Sequence, residues 1–164
     1  MSIKLLQTGG TIDKHYNEST GELNFIESHI AEILTLGRNH AEIDVQQLML
    51  KDSLEMQDTD RQVVLEACIN ASQDKILITH GTDTMVDTAK VLAEKNLEKT
   101  IVIVGAMVPF VFKHTDAVFN LGFALASVQT LAAGVYITMN GQIFTWNNVM
   151  KNKAVGAFEA LRLN

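Results

Sequence analysis

The chain has 164 residues, of which 47% are hydrophobic, 20% charged and 6% aromatic, with one Pro and ten scattered Gly, a balance that fits one globular domain over residues 1–164 and excludes disordered and collagen-like chains. Cys68 has no partner for an internal disulfide, which argues against a stapled secreted scaffold and for a reducing compartment. The net charge of −6, from 13 basic and 19 acidic residues without a Lys/Arg cluster, excludes the electrostatic footprint of a nucleic-acid or anionic-membrane binder, so the expected partner is a small molecule.

The first apolar run, residues 3–9, ends at Gly9 and turns polar too soon for a secretory signal. It reads instead as a buried strand. Residues 13–24 (DKHYNESTGELN) are polar and follow this strand directly, which suggests a mobile flap. A short helix is predicted over 28–36, stopped at Gly37, and a less defined strand over 43–50. Val63, Val64, Ala67, Cys68 and Ala71 have helical spacing after Asp58-Thr59-Asp60. Strands at 76–81, 101–105 and 135–141 each close on a glycine. Between them, Met85, Val86, Ala89, Leu92 and Ala93 form a helical stripe after Thr82-Asp83, and residues 116–133 form another, with Gly134 at its stop. The stretch 101–112 contains Gly105 and Pro109 and is too short to cross a bilayer, so a soluble, cytoplasmic protein with no membrane partner is expected. Alternating strands and helices predict an α/β domain: a mainly parallel sheet with helices on both faces, a Rossmann-like three-layer arrangement with right-handed crossovers and a site at the strand carboxyl ends.

Thr11 follows two glycines at a strand end, where a ligand can approach its hydroxyl; read locally, a turn threonine bonding its own backbone is favoured. Thr82 and Asp83 read as the cap of the next helix or as groups that face a ligand. Thr8-Gly9-Gly10-Thr11 lacks both the dinucleotide fingerprint spacing and a Gly-Lys-Ser/Thr sequence, which argues against phosphate binding. No two of the five histidines have the i, i+4 spacing of helix-face metal ligands, and His80 is expected to be a hydrogen-bonded core residue. Lys151, taken alone, reads as a solvated surface charge.

Together, Thr8-Gly9-Gly10-Thr11-Ile12 and His80-Gly81-Thr82-Asp83-Thr84-Met85 resemble the two signature motifs of the bacterial-type L-asparaginase family. Further matches follow in family order: Asp52-Ser53-Leu54-Glu55-Met56, Val104-Gly105-Ala106-Met107-Val108-Pro109, Phe119-Asn120-Leu121, Met139-Asn140 and Lys151. The resemblance implies hydrolysis of the side-chain amide of L-asparagine, or of glutamine, to the acid and ammonia without metal or organic cofactor. It implies Thr11 as nucleophile. Thr82, Asp83 and Lys151 would form a second catalytic group, in which Lys151 eases deprotonation of Thr82 while Asp83 orients Lys151 and holds the substrate ammonium. Ser53 would bind the substrate α-carboxylate, with backbone groups around Gly10 and Gly81. Tyr16 would be the flap tyrosine, at a shorter spacing from Thr11 than is usual in the family.

Two departures stand out. Family members are usually far longer, with a smaller C-terminal α/β domain that completes a neighbouring subunit's site; a member with only the N-terminal-type domain is therefore expected to be a homo-oligomer, a dimer or tetramer. Leu54 stands where many members carry a polar residue that grips the substrate carboxylate. Alternative readings are an amino-acid-binding regulatory module with little or no turnover, or a truncated part of a longer asparaginase.

Overall fold

The computed structural model describes residues 1–161. In chain order they form β1 (Ser2–Gly9), a 3-10 turn (Thr11–Asp13), β2 (Lys14–Tyr16), β3 (Leu23–Phe25), α1 (Ile30–Leu36) and β4 (Glu42–Lys51). A second 3-10 turn (Ser53–Glu55) leads to α2 (Asp58–Asn70), β5 (Lys75–Thr79), α3 (Met85–Ala93) and β6 (Thr100–Val104). The rest comprises α4 (Ala117–Thr130), β7 (Gly134–Met139), β8 (Gln142–Thr145), β9 (Met150–Asn152) and β10 (Ala157–Glu159).

One sheet of order β4-β1-β5-β6-β7-β8 carries the fold. It is parallel from β4 through β7, and β8 closes the edge antiparallel to β7. Ile76, Leu77, Ile78 and all of Ile101, Val102, Ile103 and Val104 are fully buried, so the central strands are covered on both faces, as their unbroken apolar runs predict. Burying each such side chain stabilises the fold by roughly 1.5–3 kcal/mol, which makes this slab its main source of stability.

The helices divide between the faces. α1 and α4 line one cleft through Ile33, Leu34, Val118, Leu121 and Leu125, and so share a face, while α2 packs on α3 on the other. The connections β5-α3-β6 and β6-α4-β7 both step to the next strand in the same direction but run over opposite faces. Their hands are therefore opposite, and the expectation of uniformly right-handed crossovers fails at one of them.

Local expectations are corrected in four places. Gly134 does not stop α4, which ends at an extended Leu131; it opens β7 with a φ of +154°. α2 starts at Asp58 itself, because Gln57 and Asp60 form a reciprocal capping box. Its buried face is Arg61, Val64, Leu65 and Cys68, whereas Val63 is exposed. Residues 13–24 are not a uniformly polar flap: β2 and β3 pair as a hairpin, and Asp13 at its root is fully buried. β8 and the β9–β10 hairpin escape the apolar-run reading because they are short and half-exposed. The turn into β8 is nevertheless signalled by Asn140-Gly141, whose φ angles of +55° and +71° are those that an Asn-Gly hairpin turn requires.

Candidate active site

Four loops meet at the carboxyl ends of the strands, and glycines let them do so. A Cβ on Gly10, which has a φ of +83°, would lie 2.4 Å from the Gly81 nitrogen; one on Gly81 would lie 2.5 Å from both Cβ and Oγ of Ser53. The loop after β1 is thus pressed onto the loop after β5, and that loop onto the turn after β4. A Cβ on Gly105, after β6, would meet the His80 carbonyl at 2.5 Å. Backbone contact of this kind admits no side chain, which is the physical content of the two glycine-bearing motifs. It brings Thr11, Ser53 and residues 81–83 to one end of the sheet.

Thr82 and Asp83 do not cap α3, whose N-cap is Thr84, so both side chains are available for other work. Lys151 Nζ donates to Thr82 Oγ1 at 2.7 Å and to Asp83 Oδ1 at 2.9 Å. Its side chain is only 12% exposed, which overturns the surface-charge reading. The position of Lys151 is set by a relay of local structure. Asn140 Oδ1, at the β7–β8 turn, accepts from Phe158 N at 2.9 Å; Phe158 is buried on β10, and β10 pairs with β9 opposite Lys151. A second cation, Lys153, lies 3.9 Å from Asp83 and is mostly exposed, and Asp83 itself is 29% exposed, so this side of the site meets solvent.

Thr11 sits in the 3-10 turn, partly exposed, and its hydroxyl bonds no protein group among the described residues. The turn threonine that satisfies itself on its own backbone is not what is found. Ser53 is buried; its carbonyl accepts from Thr84 Oγ1 at 2.8 Å, which ties the β4 turn to the start of α3. Asp52 caps that turn by accepting from Leu54 N at 3.0 Å, and its other oxygen pairs with Lys14. Burial works to raise the Asp52 pKa, but the Lys14 hydrogen bond, the Leu54 N–H and the charges of Lys14 and Lys151 outweigh it and hold the carboxyl below its ordinary range.

Gly10 N–H is committed to Lys51 O at 2.9 Å, so that residue offers close approach rather than a free donor. Leu54 is 68% exposed and faces outward. Tyr16 lies at the end of β2, about half exposed, with its ring 6.0 Å from that of Phe112; among the described residues it bonds none of Thr11, Thr82, Asp83 or Lys151. His80 is the core histidine expected. It is fully buried, with Nδ1 2.8 Å from Gly81 O and Nε2 2.8 Å from Thr88 Oγ1. The carbonyl can only accept, so Nδ1 carries the proton, and burial pushes the ring's pKa down to about 4.

Sequence reasoning quotes Thr84 and Asn140 as motif matches without a role, and misses Lys14 and Lys153 as supports of this site. Only Asn140, within its Asn-Gly pair, carries a local signal; the others are placed by tertiary contacts.

Residues 2–163 match the family described as Asparaginase, N-terminal. The chain belongs to the asparaginase family. The thermostable L-asparaginase from Thermococcus kodakarensis superposes on all of this chain and 52% of its own, with a TM-score of 0.88 at 29% identity. A probable cytoplasmic L-asparaginase from Campylobacter jejuni matches 97% of this chain and 51% of its own, with a TM-score of 0.81 at 30% identity. A probable periplasmic L-asparaginase from Haemophilus influenzae is 34% identical over 92% of this chain and 46% of its own length. The chain thus spans about half the length of the asparaginases it matches. Among the described residues, no helix is long and apolar enough to cross a membrane.

Proposed function

We propose that this asparaginase-family chain is an amidohydrolase that releases ammonia from the side-chain amide of L-asparagine, or of L-glutamine, with Thr11 as nucleophile. The observation that carries the reading is the Lys151 ammonium held at 2.7 Å from Thr82 Oγ1 and 2.9 Å from Asp83 Oδ1 beside the Gly9-Gly10-Thr11 turn. A cation at that distance stabilises negative charge on Thr82 Oγ1 and so eases loss of its proton. Asp83 orients the ammonium and, with its exposed edge, receives the substrate's α-ammonium; Ser53 takes the α-carboxylate. Thr11 Oγ adds to the amide carbon as its proton passes to Thr82 Oγ1, deprotonated beside the Lys151 ammonium; Thr82 then gives that proton to the amide nitrogen, and ammonia leaves as the carbonyl re-forms. Water then releases the acid. Tyr16 joins this site only if the β2–β3 hairpin moves over it.

Homo-oligomerisation in the cytoplasm is part of the same reading, since the Asp83 side of the site is open to solvent. The test is ammonia release from both amides by wild type beside Thr11→Ala and Lys151→Ala, with subunit number read by light scattering. Removing the nucleophile should abolish turnover, and removing the lysine should lower it about 10²–10⁴-fold. Ammonia release retained in Thr11→Ala would sink the nucleophile assignment. A folded wild type that asparagine stabilises without being consumed would move the reading to an amino-acid-binding module.

A further inference from the structure

One buried ionisable group beside the candidate nucleophile takes no part in the chemistry above. Asp13 is the last residue of the 3-10 turn that Thr11 opens, and its N–H donates to Gly10 O at 3.1 Å. Its side chain reaches away from the site to the segment before α1, where Oδ1 accepts from Ser28 Oγ at 2.8 Å and from His29 N at 2.9 Å. The residue is fully buried, and Oδ2 has no hydrogen-bond partner. The next residue, Lys14, turns the other way to pair with Asp52 on the Ser53 turn.

We propose that Asp13 is a positioning residue for Thr11: it fastens the nucleophile's turn to the start of α1, and its charge state sets how firmly that turn is held. The proposal rests on the reading of Thr11 as nucleophile, but the fastening itself can be tested without turnover.

The surroundings explain why the charge state matters. From β2, His15 faces Asp13 electrostatically and lies against His29, with ring centroids 4.0 Å apart and the rings tilted by 31°. From the α1 side come Ser28, His29 and, acting on His29, Glu27 and Glu32. Phe110 closes over His29 at 5.3 Å. Burial pushes the Asp13 pKa up to about 6, although the His29 N–H, the Ser28 hydroxyl and His15 each pull it down. Burial and then His15 lower the pKa of His29, so that ring resists adding a compensating charge. A lone charge with one unpartnered oxygen is poorly accommodated here; the neutral acid keeps the Oδ1 bonds without it.

The folded state therefore holds the Asp13 proton to higher pH than the unfolded chain does. Stability from this group is full below pH 4 and is lost as pH rises through about 6. Asp13→Asn mimics the neutral acid, and Asp13→Ala removes both bonds. The experiment measures the melting temperature of wild type and Asp13→Asn from pH 4 to 8, amide exchange of residues 11–13, and kcat and KM for asparagine in all three proteins. Asp13→Asn should melt several degrees above wild type at pH 8, with the gap closing by pH 4 and kcat retained. Asp13→Ala should exchange faster at residues 11–13 and lose kcat about 10²-fold at nearly constant KM. A melting gap that does not change with pH overturns the charge dependence. Unaltered exchange and kcat in Asp13→Ala overturn the positioning role. If Asp13→Ala fails to fold, the pH-dependent gap and the retained kcat of Asp13→Asn still decide. If wild type releases no ammonia, the function reading fails, and melting and exchange alone judge the fastening.

Discussion

At the scale of single residues, the site is a contest between local and distant partners for the same side chains. Thr82 and Asp83 look like helix caps in sequence, but Thr84 takes the cap position and frees them for Lys151. Thr82→Val keeps the shape and removes the hydroxyl, so it should lower kcat sharply while leaving the melting temperature within a few degrees; steady-state kinetics and a thermal melt check this. Cys68 is buried, and burial pushes its thiol up to about 12. It should therefore resist a thiol reagent in the native protein and react fully in denaturant, which a colorimetric titration with and without guanidinium reads directly.

At the scale of elements, the site depends on how closely loops approach one another. Gly10→Ala would place a methyl 2.4 Å from Gly81 N at a φ of +83°, so the two loops must part. Loss of activity at least as complete as in Lys151→Ala is expected, with a drop in stability of more than about 1 kcal/mol, read by denaturant melts. α4 supports the loop after β6 through Asn120, whose Nδ2 donates to Gly105 O at 3.1 Å and to Asp116 Oδ2 at 2.8 Å; Asp116 in turn accepts from Met107 N and Val108 N. Asn120→Leu leaves the buried Gly105 carbonyl without this donor and should cost about 1–3 kcal/mol. The parallel strands and long helices were legible because apolar runs and 3.6-residue spacing are local signals. β9 and β10 were not: each is three residues long, and each exists because Asn140 and the buried Phe158 hold it in place.

At the scale of the whole molecule, buried titratable groups act in opposite directions on acid stability, Asp13 against His80 and the smaller effect of His29. His80 stays neutral in the fold down to about pH 4, so its contribution is lost as pH falls from about 6.5 to 4. Asp13 gains stability for the fold over nearly the same interval, from about 6 down to 3.8. Each amounts to about 3 kcal/mol on linkage arithmetic, so they largely cancel. Wild type should lose melting temperature only slowly between pH 6 and 4, while Asp13→Asn, with only the buried histidines His80 and His29 left, should lose stability more steeply across that range. A parallel pair of pH–melting curves would contradict this. Below pH 4, the salt-bridged Asp44, Asp52 and Asp60, all held below their ordinary pKa by lysine partners and N–H donors, take up protons, and the fold weakens in both proteins.

By itself the sequence determined the α/β class, the strand and helix positions over most of the chain, and, through glycine spacing and the paired motifs, the family and the identity of the candidate groups. These follow from signals confined to neighbouring residues: apolar periodicity, and glycines where no side chain fits. The tertiary structure alone decided that one crossover runs with the opposite hand, that Lys151 is a buried partner rather than a surface charge, that Thr82 and Asp83 are released from capping, and that Asp13 is enclosed against α1. Each of those depends on a contact between residues distant in the chain, sixty-eight and sixty-nine apart for the lysine pairs, and no local pattern records where such partners meet.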